Sequence, residues 1–100
     1  MTDDTDEPPY ELTLFVSGPS ALSERAIASA RELCDVHLAG RARLAVVDVH
    51  EAPDLVDRHE LLATPSLVRT STAPPRTIVG NLSDTTRVLE ALGIPAEATP

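Results

Sequence analysis

Two apolar segments joined by a stretch of helical periodicity constrain the fold of this chain most strongly. The first, YELTLFVSG at 10–18, alternates apolar and polar side chains, and Phe15 adds apolar surface to its second face. This pattern predicts a strand that is buried on both faces. The second, ARLAVVDVH at 42–50, is almost continuously apolar and predicts another strand. Two strands joined by a helix lie parallel with a right-handed connection, so a β-α-β unit is expected.

The segment between these strands carries apolar residues at the period of an α-helix. Ala26, Ala30 and Leu33 fall on one stripe, which predicts a helix over 21–38. Ser20 precedes this stretch and is expected to cap the start of the helix through its side-chain oxygen.

Three further predictions concern the second half of the chain. The segment 53–60 begins with a proline and is expected to form a short helix, because proline suits the first helical turn. PSLVRT and PRTIVG have the composition of strands, and their short proline-containing connection favours an antiparallel hairpin. NLSDTTRVLEALG predicts a last helix, with Ser83 as its cap and Gly93 as its end.

The predicted order, β-α-β-α-β-β-α around a mixed four-stranded sheet, belongs to the α/β class and is that of the thioredoxin fold. One domain is expected over 10–93. Residues 1–9 are acidic and polar, unlike a signal peptide. They are expected to form a disordered leader, and 94–100 a flexible tail.

No apolar run reaches the ~20 residues that span a bilayer, and a single cysteine fits a reducing compartment. We therefore expect a cytoplasmic protein without a membrane segment.

The redox chemistry of thioredoxins is missing from this sequence. The segment SGPSALSE, which follows the first predicted strand, holds no cysteine, and the single cysteine, Cys34, lies beside the apolar stripe of the predicted helix. A buried cysteine in a helix behaves as a small hydrophobe, so a thioredoxin-family enzyme that uses Cys34 is the less favoured alternative. The three histidines lack metal-ligand spacing within one element. The sequence therefore predicts a protein without catalytic residues, cofactor or metal.

The charge of the chain bears on its partners. The formal net charge is −8, and all eight basic residues are arginine. A strongly acidic balance argues against broad binding to the phosphates of nucleic acids. A protein partner is therefore expected rather than a nucleic acid.

Several blocks of sequence, among them LTLFVSG, VVDV, LLATPSLVR and PR-IVGNLSD, match a known family without a gap from Leu12 to about Leu89. In these blocks the chain resembles the KaiB family. The resemblance implies a non-enzymatic protein that binds the N-terminal ATPase ring of a KaiC-type protein and regulates its clock or clock-like output. KaiA or a KaiB-like sensor histidine kinase are the further partners implied. The alternative is a stand-alone KaiB-like adaptor for a kinase or stress-response protein.

The resemblance also implies two folds. One is a thioredoxin-like monomer that binds partners, and the other is a tetramer whose C-terminal half is rearranged. Pro65, Gly80 and Asn81 match positions connected with this switch, and Asn81 replaces the usual aspartate. The helix formers at 89–92 favour the thioredoxin-like form in this chain. A cis peptide bond is expected between Thr64 and Pro65.

Three arginines match basic positions of the family. They are Arg25, Arg69 and Arg76, and the last two flank the connection of the predicted hairpin. The resemblance implies that these positions contact the ATPase ring. A guanidinium pairs with a carboxylate through two parallel hydrogen bonds, which suits that contact.

Three more positions complete the expected partner-binding set. Arg43 and Ala45 lie on a predicted edge strand, where the family would present its backbone to a further partner. Such an edge is a template for strand addition. Glu60 stands where a lysine is common in the family, and this reversal of charge changes the expected contact with the ring.

Overall fold

A computed structural model describes residues 10–38, 41–59, 61, 63–70 and 75–94. Its elements follow the predicted order, with small shifts at their ends. The strands are β1 (Tyr10–Val16), β2 (Ala42–Asp48), β3 (Ser66–Arg69) and β4 (Arg76–Val79), and the helices are α1 (Ala21–Glu32), α2 (Pro53–His59) and α3 (Thr85–Leu92).

The four strands form one mixed sheet in the order β2-β1-β3-β4. β1 and β2 pair in parallel, as the predicted β-α-β unit requires, whereas β1 pairs antiparallel with β3 and β3 with β4. β2 and β4 are therefore the edge strands. This arrangement confirms the predicted thioredoxin-like fold. It also confirms that the segment near residues 88–92 is a helix and not a strand.

The main core lies on the face of the sheet that carries α1 and α3. Leu12, Leu14 and Val16 all point to this face and are buried, which confirms the predicted alternation in β1. Burial of each such aliphatic side chain stabilises the fold by roughly 1.5–3 kcal/mol. The helices contribute the other wall of the core through Ala26, Ala30 and Leu33 of α1 and Val88, Leu89 and Leu92 of α3.

The opposite face of the sheet is covered more thinly. Phe15 points to this face and is fully buried, and its ring centroid lies 5.8 Å from that of His59 in α2. α2 itself contains no buried residue. His59 is thus half-buried against a core ring.

The start of α1 agrees with the prediction, and its end differs. Ser20 caps the helix, since its Oγ accepts a hydrogen bond from the Ser23 amide at 3.0 Å. The last turn widens into a π-helical turn, Leu33–His37, and the Leu38 amide donates to the Leu33 carbonyl at 2.9 Å. Residues five apart lie above one another in such a turn. Leu33 and Leu38 therefore share the buried face.

α3 is capped at both ends, although not by the predicted residue at its start. Asp84, and not Ser83, is the N-cap, because its carboxylate accepts from the Arg87 amide. The predicted end at Gly93 is confirmed: its φ is 72°, in the left-handed region that favours glycine. The Gly93 amide donates to the Glu90 carbonyl and the Ile94 amide to the Leu89 carbonyl, the pairing of a Schellman motif.

Candidate functional site

A largely apolar groove of about 650 Å³ lies between α1 and two loops that precede β3 and α3. Leu22 lines it and is 57% exposed. The groove brings together four residues that the sequence singled out for different reasons, and these are Arg25, Pro65, Gly80 and Asn81.

The α1 wall of the groove follows from the local sequence. Because Ser20 fixes the start of the helix, Leu22 and Arg25 lie three residues apart on its exposed side, where such residues are neighbours. Ser23 and Ala26 are buried, and Ala26 forms part of the groove floor. The groove thus combines an exposed apolar side chain with a guanidinium.

The two loops of the groove are hydrogen-bonded to each other. The Thr64–Pro65 peptide bond is cis, as predicted, and the Pro65 carbonyl accepts from the Gly80 amide at 3.0 Å. Gly80 has a φ of 101°, a conformation open mainly to glycine. This contact joins the LATP segment to the start of the GNLS segment.

Asn81 has a defined role in shaping the second loop. Its Oδ1 accepts hydrogen bonds from the amide of Ser83 at 2.9 Å and from the Ser83 hydroxyl at 2.7 Å. These bonds hold Ser83, the residue that the sequence suggested as a helix cap, in the turn before α3, and the following aspartate occupies the cap position. Leu82, between them, is buried.

Arg69 lies at the far end of β3 from the groove and is turned toward the end of α3. Its Nη1 donates to the carbonyls of Leu92 and Gly93, both at 3.1 Å, and its guanidinium carbon lies 4.9 Å from the centre of the Tyr10 ring. Helix C-termini carry partial negative charge, which favours a cation there. Arg69, expected as a ring contact, is therefore engaged within the chain in this form.

Arg76 lies directly opposite Arg69 in the β3–β4 pairing. Like charges opposite each other on neighbouring strands destabilise a sheet, but here the end of α3 lies beside both of them. The Arg76 side chain packs so closely against Gly93 that a β-carbon on that glycine would lie 2.8 Å from Arg76 Nε. Arg76 is nonetheless exposed at the surface.

Arg43 and Ala45 are exposed on β2, which is an edge strand as predicted. Their register partners on β1 are Glu11 and Thr13, so their side chains lie on the thinly covered face of the sheet. Glu60, the sixth expected contact, lies outside the described residues.

The expected partner-binding residues thus fall into separate regions. Arg25 lines the groove, whereas the arginine pair lies at the opposite end of β3 and β4. Strands rise about 3.3 Å per residue, so the two ends of β3 are roughly 10 Å apart. A partner that contacts both regions must extend along the sheet.

Cys34 has the environment of a structural cysteine. It is 5% exposed and packs in the core. Burial, and secondarily the neighbouring Asp35 carboxylate, raises the pKa of its thiol, which Arg31 only partly opposes. Reactive cysteines have lowered pKa values and accessible sulfurs, so this position does not suit thiol catalysis.

We expect Cys34 to react slowly with a thiol reagent such as a disulfide probe in the folded chain. Because its pKa is raised, the thiolate fraction at a given pH is smaller than that of an ordinary cysteine, and reactivity rises only at higher pH. The measurement is the reaction rate against pH, with the urea-unfolded chain as the control. Equal rates in the folded and unfolded chains would contradict the buried position.

Two side-chain contacts lie at the carboxyl end of β2. Asp48 caps the next turn by accepting a hydrogen bond from the His50 amide at 2.9 Å. His50 Nε2 also lies 3.0 Å from Ser17 Oγ, across 33 residues of sequence. Sequence periodicity contains no signal for such a contact.

No group of three metal-ligating side chains occurs among residues 10–38, 41–59, 61, 63–70 and 75–94.

Residues 13–94 match the sequence profile of the KaiB domain. The chain is 39% identical over 85 residues to the circadian clock oscillator protein KaiB of Prochlorococcus marinus, across 85% of this chain and 73% of that protein. It is 36% identical to the protein of the same name from Synechococcus elongatus, across 85% of this chain and 83% of that protein. These relatives are named as clock proteins and not as enzymes.

Two solved structures share the fold of this chain. The N-terminal domain of SasA from Synechococcus elongatus superposes with a TM-score of 0.67 at 27% identity, across 85% of this chain and 84% of that chain. The thioredoxin Deadhead from Drosophila melanogaster has a TM-score of 0.65 at 13% identity, across 90% and 84% of the two chains, and shows the fold alone. In the part of the chain that the structure describes, no helix has the length and apolar character needed to cross a membrane.

Proposed function

The chain belongs to the KaiB family, and from that premise we propose that it is a non-enzymatic, cytoplasmic binding protein that docks on the N-terminal ATPase ring of a KaiC-type protein. In doing so it regulates the clock or clock-like output of that protein. The groove supports this proposal, because it joins the LATP and GNLS segments to Arg25 and exposes Leu22. Exposed apolar surface beside a charged side chain is typical of a protein-binding site.

The arginines contribute to binding in two ways. Arg25 and Arg76 are exposed and pair with carboxylates of the ring, whereas Arg69 contributes when its bonds to the end of α3 are exchanged for a partner carboxylate. Arg–carboxylate pairs bind in two-pronged geometry and give orientation as well as affinity. Glu60 reduces attraction to an acidic ring surface, so affinity relies on the arginines.

The outer edge of β2 is the binding site for a second partner, KaiA or a KaiB-like sensor histidine kinase. β2 lies at the edge of the sheet, and Arg43 and Ala45 on it are exposed. An edge strand offers backbone donors and acceptors to an added strand.

The thioredoxin-like monomer is the binding form, and a tetramer with a rearranged C-terminal half is its alternative. The Schellman motif and the Arg69 bonds at the end of α3 favour the monomer. A switch of this kind requires two packings within a few kcal/mol of each other.

A second candidate function is that of a stand-alone KaiB-like adaptor for a kinase or stress-response protein. The structural likeness to the N-terminal domain of SasA favours it. The same groove and edge strand would serve such a partner.

The test is a pull-down of purified chain with the KaiC-type ATPase of the same organism, in ADP and in ATP. We expect association in at least one nucleotide state. A folded chain, verified by circular dichroism, that binds the ATPase in neither state would contradict the proposal. Binding to a kinase of that organism instead would favour the adaptor function.

A further inference from the structure

β2 lacks most of the features that protect the edges of natural sheets. It has seven residues, whereas the other edge strand, β4, has four. It contains no proline, its only charge before the terminal Asp48 is Arg43, and its register with β1 runs without a bulge. Short length, proline, charge and bulges are the usual devices that stop an edge from binding another strand. Among the described residues no strand pairs with the outer side of β2, so this side is open to strand addition.

Exposed apolar side chains lie along the same edge. Val46 pairs with Leu14 of β1, so Val46 and Leu44 lie on the core face of the sheet. Leu14 is fully buried, whereas Val46 at the edge is 37% exposed. The π-helical turn Leu33–His37 contacts β2, and Val36 in this turn is 64% exposed. A neighbour beyond β2 would remove apolar surface from water, which is favourable.

We infer that this neighbour is a second copy of the chain, and that the two β2 strands pair antiparallel around a twofold axis that passes by Ala45. An axis perpendicular to the sheet keeps the core faces of both copies on the same side. In this register Leu44 of each copy lies opposite Val46 of the other, and the two Ala45 residues face each other on the thinly covered face. The two sheets join into one continuous sheet.

The apolar side chains of β2 are complementary to themselves in this register. Side chains opposite each other on antiparallel strands lie about 4.5–5.5 Å apart. Leu44 and Val46 therefore form two equivalent apolar contacts, one on each side of the axis. Each copy uses the same edge once, so the assembly closes at two copies.

The charges of β2 favour the antiparallel direction. Arg43 lies near the start of the strand and Asp48 at its end. The pairing places Asp48 of one copy opposite Ala42 of the other, one residue from Arg43. Strands lie about 4.8 Å apart and rise about 3.3 Å per residue, so the Cα atoms of Asp48 and Arg43 are roughly 6 Å apart, within a Debye length of about 8 Å. Opposite charges thus approach at both ends, whereas parallel pairing would bring like charges together.

The dimer uses the edge that the proposed function assigns to a second partner. Binding of that partner and dimerisation therefore exclude each other, and a concentrated chain should bind the partner more weakly than a dilute one. This exclusion rests on the proposed function. The dimer does not, and its test uses the isolated chain.

Sedimentation velocity of the full-length chain, from about 1 μM to about 1 mM, measures its mass. We expect the mass to rise with concentration from that of a monomer to that of a dimer. Val46→Asp places a charge against an apolar contact and is expected to raise the dissociation constant of the dimer at least about tenfold. The matched control is Val79→Asp, the same change at a valine that is 50% exposed on the other edge strand. Circular dichroism verifies that both variants are folded.

Disulfide cross-linking tests the register without a change at Val46. Facing Cα atoms on antiparallel strands are about 4.5–5.5 Å apart, within the range of about 4.4–6.8 Å that a disulfide spans. Ala45→Cys is therefore expected to give a covalent dimer under mild oxidation. Ala28→Cys, the same change at an exposed alanine of α1, is the matched control. The native chain, whose Cys34 is buried, should remain uncrosslinked.

The outcomes decide the dimer separately from the proposed function. A mass rise to the dimer that only Val46→Asp suppresses supports it. A monomer at every concentration, an assembly larger than a dimer, or an equal effect of Val46→Asp and Val79→Asp overturns it. Cross-linking of Ala45→Cys no faster than that of Ala28→Cys overturns the pairing around Ala45. Failure to bind a KaiC-type ATPase contradicts the proposed function and leaves these measurements unchanged.

Discussion

Replacement of Leu92 by alanine is expected to lower the free energy of unfolding by about 2–5 kcal/mol. Leu92 is fully buried where α3 meets the core, so truncation removes apolar contacts and leaves a cavity. The bond from Arg69 to the Leu92 carbonyl involves the backbone, so the substitution tests packing alone. Domains of this size have a total free energy of unfolding of about 5–15 kcal/mol. The expected loss is therefore a large fraction of the stability of the domain. Urea unfolding followed by circular dichroism measures it.

The matched control for Leu92→Ala is Glu90→Ala. Glu90 is exposed on the same helix, and both variants introduce alanine, the residue with the highest helix propensity. Glu90→Ala is expected to change the free energy of unfolding by less than about 0.5 kcal/mol. A Leu92→Ala loss as small as that of the control would contradict the packing of α3 on the sheet.

Charge reversal at Arg25 is expected to reduce affinity for the KaiC-type ring at least about tenfold, which corresponds to roughly 1.4 kcal/mol. Arg25 lines the groove beside the exposed Leu22, so Arg25→Glu places a like charge against the carboxylates proposed for the partner. Folding should be retained, because Arg25 is exposed and substitutions at exposed sites usually change stability by no more than about 0.5 kcal/mol. Isothermal titration calorimetry with the purified ring measures the change.

Arg31→Glu is the control for Arg25→Glu. Arg31 is exposed in the last turn of the same helix and does not line the groove, while the change in net charge is identical. We expect less than about a threefold effect on affinity, because exposed charges outside a contact are screened by salt. If both variants lose affinity equally, the loss is caused by the change in net charge, and the groove is not the surface that contacts the ring. If neither loses affinity, Arg25 has no part in docking.

The predictions that succeeded rest on strong local signals. Alternation in β1 placed Leu12 and Leu14 on the core face, and the stripe of α1 placed Ala30 there. Ser20 and Gly93 mark helix ends because their chemistry suits few other positions. The fold class follows from the order of such elements.

The predictions that failed depend on competition or register, which local patterns do not encode. Ser83 is a good helix cap in isolation, but the helix begins one residue later and Asp84 stands at the cap position. The widened last turn of α1 depends on how Leu38 meets the core. The sequence pattern predicts Arg69 to be a surface residue of a strand. Because Arg69 pairs with Leu12, its side chain instead lies on the core face and reaches the end of α3.

The groove could not be predicted from the sequence. Arg25, Pro65 and Gly80 are far apart in the chain, and only the folded chain shows that they line one surface. The resemblance to KaiB named these residues but gave no distances among them. The Pro65–Gly80 hydrogen bond links two of the loops that line it, and no periodicity in the sequence predicts that bond.

α2 has no buried residue, although its His59 touches the ring of Phe15. Most of its surface is therefore not required for packing, and substitutions at exposed sites usually change stability by no more than about 0.5 kcal/mol. α2 is accordingly the element where mutations can accumulate between related chains while the core stays the same. Proteins with one common scaffold can in this way diverge in the surface that they present, and a reporter group attached to α2 would disturb the domain least.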